Sequence, residues 1–151
     1  MKYLTKLCSV GLGAILLIGA TSANAEGNVR PVKDAVTLEE CSACHIAYPV
    51  GLLPKASWGK ILDTLGDHFG EDASLDDATT KHIRDYLTSH ANTRLSVNAS
   101  NPTLRITDFK WFNREHSASR RAYAKSHSNI GTISNCAGCH RGAEKGRFDD
   151  D

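Results

Sequence analysis

Cys41-Ser42-Ala43-Cys44-His45 and Cys136-Ala137-Gly138-Cys139-His140 are the two stretches whose reading decides the fold. Each is Cys-x-x-Cys-His, the attachment signature of c-type haem. The spacing has a chemical reason. Two thiols three positions apart reach the two vinyl groups on one side of a single porphyrin. The next residue is carried under the ring, where its imidazole binds the iron. The pattern therefore predicts two haem c groups. Cys41, Cys44, Cys136 and Cys139 are the covalent tethers, and His45 and His140 the proximal iron ligands. Cys-x-x-Cys also serves zinc sites and redox dithiols. A zinc site would require both halves to meet in one tetrahedral set of four thiolates, or of three thiolates and an imidazole. A disulfide framework leaves the histidine after each pair unexplained.

Upstream of the first motif, residues 1–25 read as a secretory signal peptide. Lys2 and Lys6 give the positive start, Leu7 to Ala20 the apolar stretch, and Ala23-Asn24-Ala25 the small-x-small cleavage pattern. The apolar run is shorter than the roughly 20 residues that span a bilayer. Cys8 leaves with the signal. The four remaining cysteines all belong to the two motifs, so none is left for a disulfide. Since c-type haem is attached outside the cytoplasm, the expected location is the periplasm.

The segment 26–151 has the length of one ordinary domain. Two porphyrin faces would supply much of its interior. Residues 26–90 hold 11 acidic and 6 basic side chains; residues 91–151 hold 6 acidic and 10 basic. The asymmetry fits either oriented docking to a charged partner or attraction between the two halves. The near-balanced total charge and the lack of a basic motif exclude a nucleic-acid binder.

Periodicity predicts a mainly α chain. Thr37 reads as N-cap of a short helix leading into the first motif, with Glu40 at the reciprocal position. The stretch Ile46 to Pro54 is apolar and broken by two prolines and a glycine. Residues 55–69 carry Trp58, Ile61, Leu62, Leu65, His68 and Phe69 on one helical stripe, with Gly70 as the helix stop. Residues 74–89 read as a second helix capped by Ser74, with His82 on its inner face. A third helix is expected from about residue 107 to 126, its stripe containing Phe109, Phe112, His116 and Tyr123, with His127 nearly in line. Arg114, Arg120, Arg121 and Lys125 read as a solvated face, and the polar tail from Arg141 as mobile. The polar connector around 91–104 divides the chain into an N-terminal haem lobe, 26–95, and a C-terminal haem lobe, 96–151. The expected architecture is a compact, two-lobed, mainly α protein with helices packed on two covalently attached haems.

Met1 is the only methionine, so Met/His ligation is closed to both irons once the signal is removed. A second histidine or an open position remains. Beyond His45 and His140 the candidates are His68, His82, His90, His116 and His127. Stripe position favours His68 over His82 and His116 over His127. His90 sits at a helix end, where the helix dipole alone favours it.

The stretch Cys41 to Leu87, with Cys-Ser-Ala-Cys-His-Ile-Ala-Tyr-Pro, Ser57-Trp58, Asp67-His68-Phe69-Gly70 and Tyr86-Leu87, resembles the dihaem cytochrome c family called DHC. Arg105-Ile106-Thr107, Trp111-Phe112, Arg114-Glu115-His116, the second haem motif and Ala143 to Phe148 extend the resemblance. It implies a periplasmic electron carrier, not an enzyme, with two bis-histidine low-spin haems. By position, His68 and His116 would be the distal ligands. The resemblance also implies companions: a membrane b-type cytochrome and a monohaem cytochrome of the sphaeroides haem protein type. Two alternatives stand beside it. One is a haem enzyme or gas-binding protein with a five-coordinate iron. The other is the small dihaem subunit of a periplasmic reductase.

Overall fold

The computed structural model describes residues 29–149. The signal-like segment 1–25 and the last two aspartates lie outside the described residues. Among those described, regular structure is helical, and the β features are isolated bridge residues, among them the pair His68 and Glu71. Five α-helices follow in order: α1 Ala35–Cys41, α2 Lys55–Asp63, α3 Asp77–His90, α4 Lys110–Glu115 and α5 Ala118–Ser126. Short 3-10 turns fill the gaps, including Val50–Leu52, Leu65–Asp67, Cys136–Gly138 and Ala143–Lys145. No described helix is long and apolar enough to cross a membrane.

The ends of these helices follow side-chain chemistry that periodicity does not report. Asp34, not Thr37, caps α1: its carboxylate accepts from the Thr37 N–H at 2.8 Å and from the Thr37 hydroxyl at 2.7 Å. Asp76, not Ser74, caps α3, accepting from the N–H groups of Ala78 and Thr79. The helix expected over 55–69 stops at Asp63. Thr64 is β-branched, turns its hydroxyl back to the Lys60 carbonyl, and precedes the poor helix former Gly66. His68 therefore lies outside the helix. The helix expected over 107–126 is broken between α4 and α5. Ser117 occupies the break as the N-cap of α5, a role for which serine competes with helix continuation.

The hydrophobic core draws mainly on the first half. Val50, Leu53, Trp58, Ile61, Leu62, Ile83 and Leu87 cluster where α2 packs on α3, and Phe109 and Phe112 join them from beyond the connector. Two buried hydrogen bonds fix this arrangement. Trp58 donates its indole N–H to the Val50 carbonyl at 2.9 Å. The Ser57 hydroxyl donates across the expected lobe boundary to the Thr103 carbonyl at 2.6 Å. The tail is not loose over 141–149. Ala143 is fully buried, and Val29 donates its N–H to the Gly146 carbonyl at 2.8 Å. Gly146 has a left-handed backbone, φ +75°, and any Cβ there would collide with the Val29 carbonyl.

Candidate haem sites

Cys41 is the last residue of α1, so the first motif leaves the helix at once and its remaining residues form a turn. Cys136 opens a 3-10 turn that ends at Gly138. Despite these different supports, the motifs match in exposure: Cys41 and Cys136 are half-buried, while Cys44 and Cys139 are exposed. Burial pushes the Cys41 and Cys136 thiols up to about 11. All four are free of disulfides. Among the described residues no group of three or more His, Cys, Asp or Glu side chains converges on a metal site. The zinc and disulfide readings therefore lack the geometry they need.

The histidines sort by pairing. The ring centroids of His45 and His68 lie 6.2 Å apart. Those of His140 and His116 stand 6.0 Å apart. Two imidazoles on opposite sides of one metal, each nitrogen about 2 Å from it, place their ring centroids about 6 Å apart. Each proximal histidine thus has one opposing ring at the separation that a shared iron requires. His68 is held in a small loop. Its N–H and carbonyl both bond to Glu71, at 2.7 and 3.3 Å, and Asp67 accepts from the Gly70 N–H. His116 sits at the α4–α5 break, and Arg121 clamps that break by donating to the His116 carbonyl at 2.6 Å and to Asn113 at 2.9 Å. Arg121 is therefore a structural clamp and not part of a solvated face.

Tautomers follow from the acceptors. His45 Nδ1 lies 2.7 Å from the Ile46 carbonyl, and His116 Nδ1 lies 3.1 Å from the Phe112 carbonyl. A carbonyl only accepts, so each Nδ1 carries the proton and each Nε2 keeps its lone pair for a metal. Burial lowers the pKa of His68, aided by the nearby charges of His45 and Arg105. Burial also lowers that of His116, opposed by the Phe112 carbonyl bond and aided by His140. Both shifts favour the neutral, ligating imidazole.

The runners-up are engaged elsewhere. His82 is exposed, not on the inner face of α3, and its Nε2 pairs with Asp34 at 2.9 Å. His127 and His90 bond through Nδ1 to the carbonyls of Tyr123 and Tyr86, as His116 does to Phe112, but their rings meet Tyr123 and Tyr86 where His116 meets His140. Further contacts surround the two sites. Tyr48 stacks on His45 at 4.9 Å, while its hydroxyl donates to the Ser134 carbonyl at 2.8 Å, two residues before Cys136. Burial, and then the neighbouring Cys136, push the Tyr48 hydroxyl up to about 12, so it remains a donor. Phe112 lies flat on His116, and Phe148 meets His140 edge-on. The Arg105 guanidinium caps the exposed ring of Phe69, 4.2 Å from its centroid.

Whether these residues suit a porphyrin can be tested on one atom. Among the described residues, Trp111 Nε1 is buried with no hydrogen-bond acceptor. Such a donor is rare unless a partner comes from outside the polypeptide, and a porphyrin carboxylate is an acceptor of that kind. An open cavity of about 350 Å³ beside His68, lined by Ile61, Phe69 and Leu104 together with Thr64, Asp67 and Gly70, offers a partly apolar surface on which a ring edge can lie. The donor set and the surroundings fit.

A family model for dihaem cytochrome c matches residues 37–148. The chain belongs to the dihaem cytochrome c family. It carries two haem c groups and is an electron-transfer haem protein. The cytochrome superposes on the dihaem cytochrome c from Rhodobacter sphaeroides with a TM-score of 0.71 at 39% identity, covering 80% of this chain and 100% of that one. DHC purified from the same organism gives a TM-score of 0.65 at 43% identity, covering 78% and 99%. The dihaem cytochrome type c from Shewanella baltica OS155 gives 0.66 at 38% identity, covering 76% and 86%. No curated protein matches the sequence.

Proposed function

We propose that this cytochrome is an electron carrier with both irons closed by two histidines, His45 with His68 and His140 with His116. The observation that carries the reading is the pair of opposed imidazoles at 6.2 and 6.0 Å. Haem supplies the one-electron chemistry. The polypeptide supplies the rest. His45 and His116 present Nε2 because their Nδ1 protons are engaged. Asp67 and Arg121 hold the loops that carry the distal rings. Closed coordination leaves no site for substrate and lowers potentials relative to Met/His ligation. Tyr48 ties the His45 ring to the chain beside Cys136, so the two centres are held in one fixed relation.

The carrier works in the periplasm, between a membrane b-type cytochrome and a soluble monohaem protein. The signal-like segment 1–25 and the need to attach haem c outside the cytoplasm support that placement. The acidic first half and basic second half give an encounter partner a preferred orientation. Carbon monoxide added to the reduced protein at neutral pH is the test. An unchanged visible spectrum is expected. A rapid shift would mean an open iron and a gas-binding or catalytic role instead. The His68→Ala variant should bind carbon monoxide at one haem and leave the other untouched.

A further inference from the structure

The two histidine pairs differ in one respect that distance does not capture. The rings of His45 and His68 are nearly parallel, 23° between planes. Those of His116 and His140 are nearly perpendicular, 81°. We propose that Phe112 is a positioning residue that locks the His116 ring crosswise to His140, and that this makes the His116–His140 haem the higher-potential site of the two. The proposal rests on the bis-histidine reading above.

The lock has two parts. Phe112 lies four residues before His116, and their rings are stacked at 4.0 Å with only 9° between planes. The Phe112 backbone carbonyl takes the His116 Nδ1 proton at 3.1 Å. Stacking fixes the tilt of the imidazole, and the hydrogen bond fixes its rotation. Phe112 cannot swing aside, because it is only 4% exposed, belongs to the central core and meets Trp111 at 5.8 Å. At the other site the Ile46 carbonyl and the Tyr48 ring, 28° from the His45 plane, hold His45 close to the plane of His68.

Ring orientation matters because each axial imidazole donates π density into one iron d orbital in the plane perpendicular to its ring. Parallel rings act on the same orbital and split the upper pair. Crossed rings act on different orbitals and leave the pair nearly degenerate. In low-spin ferric iron the single hole lies in this pair. Splitting the pair stabilises the ferric form, so parallel ligation lowers the potential and crossed ligation raises it, with the protein's other levers equal. A single electron shared between the centres then leaves the His45–His68 iron ferric and the His116–His140 iron ferrous. Near-degeneracy also has a magnetic signature: one strongly anisotropic low-spin signal in place of a well-resolved rhombic one.

The test is a low-temperature electron paramagnetic resonance redox titration of the ferric dihaem protein. Two low-spin signals are expected, one rhombic and one with a single large-g feature. The large-g feature should vanish first on reduction. In Phe112→Leu the large-g feature should be lost to a rhombic one while the other haem is unaltered; Phe112→Tyr should retain it. Two matching rhombic signals in the unmodified protein, or reduction of the rhombic centre first, would overturn the proposal even if Phe112→Leu failed to fold. A high-spin ferric signal would overturn the bis-histidine reading itself, and this proposal with it.

Discussion

Residues 29–95 and 96–149 solve the same problem, one covalent haem on a short chain, with different materials. The first half packs α2 on α3 and closes a core of aliphatic side chains around Trp58. The second half sends Phe109 and Phe112 into that same core and keeps little for itself: Pro102, Ala124, Ile130 and Ala143 are its other buried apolar side chains. Its helices have six and nine residues, too short to be stable without tertiary packing. The described core is therefore built mainly from the first half, and the second half adds to it and closes little core of its own.

The sharpest way to break that contrast is to remove the tethers one pair at a time. Cys136→Ala with Cys139→Ala should abolish hydrogen-exchange protection across α4, α5 and the turn at 143–145. Cys41→Ala with Cys44→Ala should leave α2 and α3 protected. Equal loss in both variants would mean that the halves fold as one body. Next in size, Ile83→Ala, at a side chain 1% exposed between α2 and α3, should cost about 2–5 kcal/mol in denaturant unfolding, as large-to-small changes in cores do. Ile130→Ala, 7% exposed beside the second motif, should cost less while its haem is attached.

A smaller effect is expected where the halves are tied. Tyr48→Phe removes the hydroxyl that reaches the Ser134 carbonyl and should lower stability by about 1 kcal/mol. It keeps the ring on His45, so the spectrum of the first haem should not change. An effect of similar size is expected in α1. Hydrogen bonds from Thr37, and then from His82, hold the Asp34 carboxyl down at about 2, below its ordinary value of 3.8. A depressed carboxylate stabilises the fold above its unfolded pKa and loses that contribution as pH falls through the folded one. Asp34→Ala should therefore cost about 1 kcal/mol at neutral pH, the usual worth of an N-cap. The gap to the unmodified protein should close between about pH 4 and pH 2.

Much of this was legible in the sequence, and what was not has specific causes. The two motifs were readable because their chemistry is local: five residues specify tether and ligand together. His68 and His116 were readable as candidates because apolar residues recur at helical spacing on the stretches that precede them. The helix ends were not readable, since Asp34, Thr64, Asp76 and Ser117 decide them through single side-chain-to-backbone bonds. Nor can local pattern separate the aromatic-x-x-x-His pairs Tyr86/His90, Phe112/His116 and Tyr123/His127. All three place Nδ1 on the carbonyl four residues back. Only His116 meets a proximal histidine, and that is a property of chain topology.

The opposed imidazoles also constrain the order of manufacture. Ring centroids 6.2 and 6.0 Å apart leave room between the two imidazoles for one flat ring. The Ser57–Thr103 and Tyr48–Ser134 hydrogen bonds join the two halves of the chain, so haem attached to an open polypeptide would leave final folding as the step that seals the product.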